Sequence, residues 1–262
     1  MKISVLIENT TNTDTLISEH GISIYIESND TKVLFDTGQS DKFIHNAEIM
    51  GISLQDVDIA ILSHGHYDHA GGLTAFLKYN TKAPVFLHKN AFGQHFHGEK
   101  YIGLTPELQK SDRLIFTDGI FPIKRNITLY TLPDSALTVP IDPFGLSVRI
   151  NGKTYPENFS HEQYLIIEEN NKKFLFSGCS HKGIINIIRY FQPDVFVGGL
   201  HFKDIPLNDS GYTRLQQYAE CLCAYPIKYY VGHCTGKEHF RYIQPLFGKN
   251  ITYLSTGTVF NI

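Results

Sequence analysis

The stretch Ser63-His64-Gly65-His66-Tyr67-Asp68-His69-Ala70-Gly71-Gly72 places three histidines and a carboxylate within six positions. It directly follows Val57-Asp58-Ile59-Ala60-Ile61-Leu62, a short and mostly apolar run that is typical of a buried strand. Imidazole and carboxylate groups are the usual protein ligands of zinc, manganese and iron. An isolated pair of histidines would suit an ordinary loop, but this density of ligand types predicts a metal site at the end of the strand.

The spacing within this motif predicts which side chains share an ion. Backbone that stays extended past the strand sends alternate side chains to the same side, so His64 and His66 are expected to converge on one cation. The glycine pair at the end of the motif predicts a loop that enters an amphipathic helix. Asp68 and His69 therefore face the cluster from the other side, where they suit a second cation.

Composition limits the classes of function. At 262 residues the chain can bury one large domain or two fused halves. Its formal net charge of −3 provides no broad basic field for a nucleic-acid backbone, so no nucleic-acid partner is expected. The apolar residues 3–7 are too few for a signal peptide or a membrane span, so we expect a cytoplasmic protein with no membrane partner. The four cysteines all follow position 178 and do not resemble a secreted disulfide framework.

Asp36 ends a predicted strand at residues 32–35 and precedes Thr37 and Gly38. Its carboxylate can accept hydrogen bonds from nearby backbone amides in a turn. It can also orient the ring of a ligand histidine, because this strand end is expected at the same rim as the histidine motif.

The segment between the histidine motif and His161 is longer than a connection between a strand and a helix needs. This length predicts an insertion or a small lid subdomain at residues 89–156. The segment contains Gln94-His95-Phe96-His97-Gly98, in which His95 and His97 are either another ligand pair or exposed histidines on a substrate lid.

Further candidate ligands follow strands in the second half of the chain. His161 precedes a predicted β-hairpin, and Cys179 and His181 follow the second strand of that hairpin. A thiolate can ligate zinc or iron, although Cys179 also suits the role of a small buried residue behind the site. His201 and His233 end two later predicted strands. Only a fold built on sheets gathers residues so distant in sequence at one rim.

The pattern His-x-His-x-Asp-His-x-Gly-Gly after a buried strand resembles the metallo-β-lactamase superfamily of binuclear metallohydrolases. The likeness extends over nearly the whole chain and includes residues 33–38, 176–179 and 232–233. More narrowly, residues 177–184, 198–201 and 232–236 are similar to a subgroup often labelled dihydropterin ribofuranosylaminobenzene phosphate synthase-like. The resemblance implies an α/β (α+β) fold, a four-layer αββα sandwich, in a single domain over residues 1–262 with the insertion at 89–156.

The resemblance also implies roles for individual residues. His64, His66 and His161 would bind the first metal, and Asp68, His69 and His233 the second. Cys179 stands where the superfamily usually carries an aspartate that bridges both metals, so Cys179 would be shared or would favour one ion. Asp68 would also be catalytic, by orienting a hydroxide or carrying a proton. Supporting or substrate-binding roles remain for three other residues: Asp36, His181 and His201.

The implied activity is hydrolysis of a small ester, thioester or phosphoester by a metal-activated hydroxide. Two divalent ions are expected, with zinc ahead of iron and manganese. One alternative is a transferase that joins a phosphoribosyl compound to a pterin on the same metals. Another is a non-catalytic metal or thiol sensor that uses Cys179. Flavodiiron-type redox proteins share the fold, but their pattern carries glutamate where His66 stands. The expected partner is a small-molecule substrate, and a homodimer is the candidate assembly.

Overall fold

The strands of the computed structural model, which describes residues 1–262, form three sheets. In chain order the strands are β1 Lys2–Ile7, β2 Ser23–Ser28, β3 Thr31–Phe35, β4 Ile59–Ile61, β5 Val85–His88, β6 Gln94–His97, β7 Lys100–Tyr101, β8 Leu114–Thr117, β9 Ile120–Lys124, β10 Ile127–Tyr130, β11 Leu146–Ile150, β12 Lys153–Pro156, β13 Tyr164–Glu169, β14 Lys172–Ser177, β15 Val195–Gly198, β16 Lys228–Val231, β17 Ile251–Tyr253 and β18 Val259–Asn261.

Six α-helices connect or cover these strands. They are α1 Lys42–Ile49, α2 Tyr67–Ala70, α3 Leu73–Tyr79, α4 Ile184–Phe191, α5 Asp209–Cys223 and α6 Lys237–Phe247. Short 3-10 helices occur at Leu54–Asp56, Pro106–Lys110, Asp134–Ala136, His233–Thr235 and Gly248–Asn250. None of the helices combines the length and the apolar character that a membrane crossing requires.

Two seven-stranded sheets form the centre of the fold, in the orders β18-β1-β2-β3-β4-β5-β8 and β17-β16-β15-β14-β13-β10-β9. Alternation of side chains explains why they stack. Leu165 and Ile167 of β13 belong to the apolar core shared by both sheets, whereas Tyr164 and Ile166 belong to the core beneath the helices. The strands therefore have two apolar faces, which must be covered on both sides.

Helices cover the outer face of each large sheet. Side chains of α1 and α3 pack on the first sheet, and side chains of α4, α5 and α6 pack on the second. With the core between the sheets, this gives three apolar cores and four layers in the order αββα. The predicted four-layer sandwich is thus confirmed.

The parallel strands of both sheets end at one rim. β3 pairs with β4 in parallel, and β14, β15 and β16 pair in parallel in the second sheet. The residues that follow these strands include four in the left-handed region despite not being glycine: Asp36, Ser180, His201 and His233, with φ of 58°, 62°, 56° and 52°. Backbone of this kind costs free energy and is concentrated at functional sites.

A small four-stranded sheet, in the order β12-β11-β6-β7, lies outside the two large sheets. It is built from two separate parts of the predicted insertion at 89–156, because β6 pairs antiparallel with β11. The intervening β8 joins the first large sheet, and β9 and β10 join the second. The 89–156 segment thus contributes to all three sheets as well as to the surface over the rim.

Candidate metal centre

Asp36 is a hydrogen-bonding hub beneath the histidine motif. Its Oδ2 accepts from His69 Nδ1 and from Ser63 Oγ, both at 2.7 Å, and its Oδ1 accepts from the Ser63 amide at 2.7 Å. Since Ser63 Oγ donates to Asp36, it accepts from His64 Nδ1, 2.8 Å away. Asp36 therefore fixes the orientation of His69 directly and of His64 through Ser63.

The motif turns into a helix earlier than the sequence indicates. His66 is still extended, with φ −95° and ψ 147°, but α2 begins at Tyr67, before the glycine pair. Asp68 and His69 therefore lie on the first turn of a helix, on the side of the rim that faces the second sheet. This is how two adjacent residues reach the carboxyl end of β16, where His233 follows.

Cys179 lies at the middle of the rim and belongs to two groups of ligand atoms. One group is His64, Cys179 and His181, and the other is His69, Cys179 and His233. Its Sγ is 3.1 Å from His69 Nε2, and the Nε2 atoms of His64 and His181 are 3.3 Å apart. Cys179 thus occupies the position between the two groups that a bridging ligand requires.

Asp68 approaches the second of these groups from the side of the cavity. Its Oδ2 is 3.3 Å from His233 Nε2 and 3.2 Å from His20 Nε2. Burial would raise the pKa of Asp68, but His69, His20 and His233 together hold it well below its usual range. The side chain is therefore a carboxylate that faces both the ligand group and the half-exposed His20.

The structure places His66 and His161 differently from the grouping that the resemblance implies. They lie together with His95 and Glu157 in a separate group of buried side chains. His181, which the sequence leaves open as a ligand or a supporting residue, lies beside His64 instead. The metal-ligand roles assigned to His66 and His161 from the sequence stay predictions.

The chemistry of the donors fits divalent metal ions. Asp36 accepts from His69 Nδ1, and Asn9 Oδ1 accepts from His233 Nδ1 at 2.9 Å, so each ring, when neutral, presents an Nε2 lone pair to the other. These two Nε2 atoms are 3.1 Å apart, close to the roughly 3.3 Å edge of a tetrahedral site with zinc–nitrogen bonds of 2.0–2.1 Å. A cation bound between these two Nε2 atoms would replace the repulsion of their lone pairs by two coordination bonds.

Burial keeps most of the histidines neutral and ready to bind metal. It lowers the pKa of His233 to about 3 and that of His201 to about 4. Burial, with repulsion between neighbouring imidazoles, also lowers the pKa of four other rings well below its ordinary value: His64, His66, His161 and His181. Burial raises the pKa of the Cys179 thiol, so its thiolate requires the charge of a cation.

A cavity of about 120 Å³ opens onto this centre. Asp68, Cys179, His181 and His233 form its floor, and His201 lies on its wall. The small sheet and its flanking loops contribute the opposite side, through His97, Lys100, Ile102, Phe144 and Leu146. A substrate that reaches the centre therefore contacts residues of the predicted insertion.

Several residues of the site were not expected from the sequence. Glu8 accepts from the His233 amide at 2.7 Å, and Asn9 holds the His233 ring. A carboxylate directly after the apolar strand β1 is the signal that could have identified Glu8. His20 and Lys203 line the cavity, but they lie in loops where no pattern marks them.

His95 differs from the exposed lid histidine that the sequence allows. It is buried, and its Nδ1 is 2.7 Å from Glu157 Oε2, whereas His97 two residues later is exposed. Alternation along β6 places His95 and His97 on one face and therefore does not account for the difference. Here a turn at Gly98 exposes the end of the strand.

Comparison with known proteins agrees with this architecture. A family model described as the metallo-β-lactamase superfamily matches residues 20–210. A crystal structure described as a metal-dependent hydrolase of the β-lactamase superfamily shares 30% identity, with a TM-score of 0.83 over 100% of this chain and 99% of the other.

Two curated relatives come from Methanocaldococcus jannaschii. The first is an uncharacterized protein, 27% identical over 99% of this chain and 100% of its own length. The second is 7,8-dihydropterin-6-methyl-4-(β-D-ribofuranosyl)-aminobenzene-5'-phosphate synthase, 28% identical over 92% of this chain and 90% of its own length. The expected likeness to this synthase subgroup is therefore confirmed. With the αββα sandwich, the strand-end ligand groups and the match over residues 20–210, the chain belongs to the metallo-β-lactamase superfamily.

Proposed function

We propose that the chain is a zinc-dependent hydrolase of small anionic esters, with phosphoesters ahead of other esters and thioesters. The observation that carries the proposal is the cavity over the Cys179 centre, whose wall bears the ammonium groups of Lys100 and Lys203. Neutral imidazoles and a thiol on its floor suit zinc, and two ammonium groups against the one carboxylate of Asp204 on the wall suit a negatively charged substrate.

Two groups of side chains would hold two zinc ions. His64 and His181 would hold one, His69 and His233 with Asp68 the other, and Cys179 would lie between them. When bound, such ions supply Lewis acidity, which lowers the pKa of water toward neutrality and offsets charge on the leaving oxygen. The soft thiolate favours zinc over manganese or magnesium.

Asp68 is placed to accept the proton of the attacking water. Its carboxylate faces the floor of the cavity and lies 3.2 Å from His20 Nε2. Asp68 orients the water and accepts its proton as the new bond to the substrate forms and the ester bond breaks. Asn9 Nδ2 donates to His20 Nδ1, so the proton of the neutral His20 ring lies on Nε2 and steadies the Asp68 carboxylate by donating to it.

Lys203 is placed to hold the anionic group of the substrate. Its Nζ lies 3.4 Å from His20 Nε2, the ring nitrogen that faces Asp68. Burial would lower the pKa of Lys203, but Cys234, Cys179 and Asp68 outweigh that effect and raise it. Lys203 therefore remains a cation next to the point where a phosphoester would lose its leaving group.

The test is a set of assays on zinc-loaded protein with a phosphomonoester, a phosphodiester, a thioester and a neutral lactone. We expect turnover that a chelator removes and zinc restores. Lys203→Met should raise KM for the phosphoester by about tenfold or more, because it removes a charge-assisted contact, and should leave the lactone unaffected. Lys89→Met is the matched control, since Lys89 is exposed and pairs with Asp118 outside the cavity. If Lys203→Met left the KM for the phosphoester at the wild-type value, as Lys89→Met should, the anionic-substrate proposal would be refuted.

The relative named as a synthase favours a second candidate function at the same site. A synthase would use the cationic wall to hold the phosphate of a ribofuranosylaminobenzene compound, while the amine of that compound attacks the 6-methylene carbon of a pterin and displaces the leaving group from it. Supplying both compounds to the zinc-loaded protein and analysing the products distinguishes the two. A condensed product without hydrolysis of the test esters would establish the synthase and exclude the hydrolase.

The sensor alternative receives less support from the geometry. A thiol switch needs an accessible thiolate, whereas Cys179 is only 3% exposed and burial raises its pKa. Turnover that depends on zinc would exclude a purely sensing role.

A further inference from the structure

Phe144 lies in a turn whose backbone disfavours its side chain. The Leu146 amide donates to the Pro143 carbonyl at 2.8 Å and closes the turn. Phe144 and Gly145 between them have φ of 47° and 80°. Turns with two positive φ values prefer asparagine, aspartate or glycine at the first of these positions, because a bulky side chain is strained there. Strained residues of this kind are concentrated at binding and catalytic sites, so the conformation of Phe144 indicates a function for its ring.

The turn places the Phe144 ring on the wall of the cavity over the Cys179 centre. The side chain is half-buried, and its ring centroid is 5.3 Å from that of His201, with 37° between the two planes. Ile102 and Leu146 add two aliphatic side chains to the same side of the cavity. A substrate whose anionic group is held by the lysines of the wall therefore also contacts an aromatic ring and aliphatic groups.

Side chains of the second helical layer hold the loop that carries Phe144. Arg214 of α5 donates from Nη1 to Asp142 Oδ2 at 3.0 Å, and Asp142 Oδ1 accepts from the Phe144 amide at 3.0 Å. The Arg214 guanidinium also lies 5.3 Å from the centre of the Phe144 ring. Asn186 of α4 fixes the start of the loop, since its Oδ1 accepts from two loop amides at 2.9 and 2.8 Å. Arg214 does not line the cavity, so it can act on a substrate only through Phe144.

The aromatic wall and the size of the cavity both favour a single planar ring. Pairs of aromatic rings attract each other beyond the effect of the apolar area that they bury, which puckered aliphatic rings do not. The cavity has a volume of about 120 Å³ and opens to solvent, whereas an engineered closed cavity of about 150 Å³ in another protein holds benzene. One ring therefore fits beside Phe144, and a larger group would extend into solvent.

We propose that Phe144 selects phosphoesters whose leaving group is a single aromatic ring, and that Arg214 positions Phe144 through Asp142. This inference rests on the proposed function and specifies its substrate class as monocyclic aryl phosphoesters. Phe144 is the residue that determines specificity, and Arg214 is a positioning residue. The reaction is the ester hydrolysis already proposed, in which an aryl phosphate and water give a phenol and inorganic phosphate.

The test measures binding without turnover. Phenylphosphonate and cyclohexylphosphonate carry the same charged group and the same number of ring carbons, but only the first ring is planar. Titration calorimetry on zinc-loaded protein should show phenylphosphonate binding about three- to tenfold more tightly. Phe144→Leu should abolish this difference, and Phe144→Tyr should keep it. Phe92→Leu is the matched control, because Phe92 is half-buried and does not line the cavity, and it should keep the difference as well.

Substitution of Arg214 tests the positioning role. Arg214→Met should reduce the preference for phenylphosphonate, and Arg214→Lys, which can keep the ion pair with Asp142, should restore part of it. The affinity for methylphosphonate, which has no ring, should be the same in both variants and in the wild type. A general structural defect would instead weaken the binding of all three phosphonates alike, and that outcome would refute the positioning role.

The wild-type comparison decides the proposal even if the variants fail to fold. Equal affinity of the wild type for phenylphosphonate and cyclohexylphosphonate would overturn it, as would an unchanged preference in folded Phe144→Leu protein. Either result would leave the proposed hydrolase intact, because turnover of the test esters is measured separately. Absence of turnover with every ester would refute the hydrolase, whereas the preference of the cavity for a planar ring would still be measurable.

Discussion

Cys179 shows how one side chain can define the centre. Its sulfur is 3.1 Å from His69 Nε2 and belongs to both ligand groups of the proposed binuclear site. A buried thiol alone would be an ordinary small apolar residue, because burial raises its pKa. The facing imidazoles make the same position suitable for a thiolate shared by two cations.

Substitution of Cys179 separates these two roles. Cys179→Ala should reduce zinc bound at both groups, whereas Cys179→Asp should keep the metal content and weaken the preference for zinc over manganese, since a carboxylate is a harder ligand. Zinc and manganese measured by mass spectrometry after dialysis provide the check.

Cys234→Ala is the control for the Cys179 variants. Cys234 is equally buried, and its Sγ contacts the Cys179 carbonyl at 3.5 Å, but it belongs to neither ligand group. The Cys234→Ala protein should be less stable than the wild type but should bind the same amount of zinc. Full zinc content in Cys179→Ala would show that Cys179 is only a packing residue.

The sequence predicts that histidines gather at the rim, but not which of them face each other. His181 lies beside His64 because Ser180 adopts φ 62° and because Glu162 accepts from the His181 amide at 2.7 Å. Nothing in the sequence marks a positive φ at Ser180, because it is not a glycine, and Glu162 is separated from His181 by the whole β13–β14 hairpin. No local sequence pattern therefore reveals either feature. Asp36, by contrast, was identifiable because it directly follows a strand at the same rim.

The element that carries the motif depends on glycine for close packing. A Cβ at Gly65 would lie 2.0 Å from the Ala91 carbonyl oxygen, and one at Gly72 would lie 2.4 Å from the Thr37 carbonyl oxygen. The backbone of neighbouring loops thus contacts the histidine motif, residues 63–72, directly on two sides. These glycines serve packing of the loop rather than space between the histidines.

Gly65→Ala tests whether this packing positions the ligands. Because the contacting atom is backbone, the loop must shift, and we expect about 1–3 kcal/mol of lost stability together with weaker zinc binding. Urea denaturation and zinc titration measure the two effects. Gly98→Ala is the comparison, since Gly98 has φ +59° but open space around it. The Gly98→Ala substitution should lower stability only because alanine is strained at this positive φ, and the variant should bind zinc as the wild type does.

Elements of the large sheets could be predicted from the sequence because their side chains alternate between two apolar cores, as Leu165 and Tyr164 do. In the small sheet the sequence predicts only β11, whose run of residues is typical of a strand, and not the pairing of the sheet. Every residue of β12 is exposed, so it has no apolar face to mark it. β6 pairs with β11 far along the chain, so the burial of His95 depends on a contact that no local window contains.

At the scale of the whole molecule, the fold stores many uncharged imidazoles in its interior. The sequence has 13 histidines, and burial lowers the pKa of those at the centre. His201 and His233 show the extent, with pKa values of about 4 and about 3. In the unfolded chain the same rings titrate near 6.5. Folding therefore excludes protons that the unfolded chain binds readily.

The metal-free protein should consequently lose stability as pH falls from 6.5 toward 4. In that window the unfolded chain takes up protons that the native state excludes, so each such histidine lowers the free energy of unfolding by roughly 1.4 kcal/mol per pH unit. His69 acts in the opposite direction, because Asp68 and Asp36 overcome burial and raise its pKa. Glu8 and Glu162, whose pKa values burial raises, act in the same direction as His69. Six histidines with a lowered pKa outnumber these three groups, so a net loss of stability is expected. Urea denaturation of chelated protein at pH 7.5, 6.5 and 5.5 measures the slope, and His201→Gln should reduce that slope by about one proton. Equal stability at pH 7.5 and 5.5 would mean that the folded, metal-free protein already binds protons at the centre. Its histidines would then not be neutral rings with nitrogen lone pairs available for a metal ion.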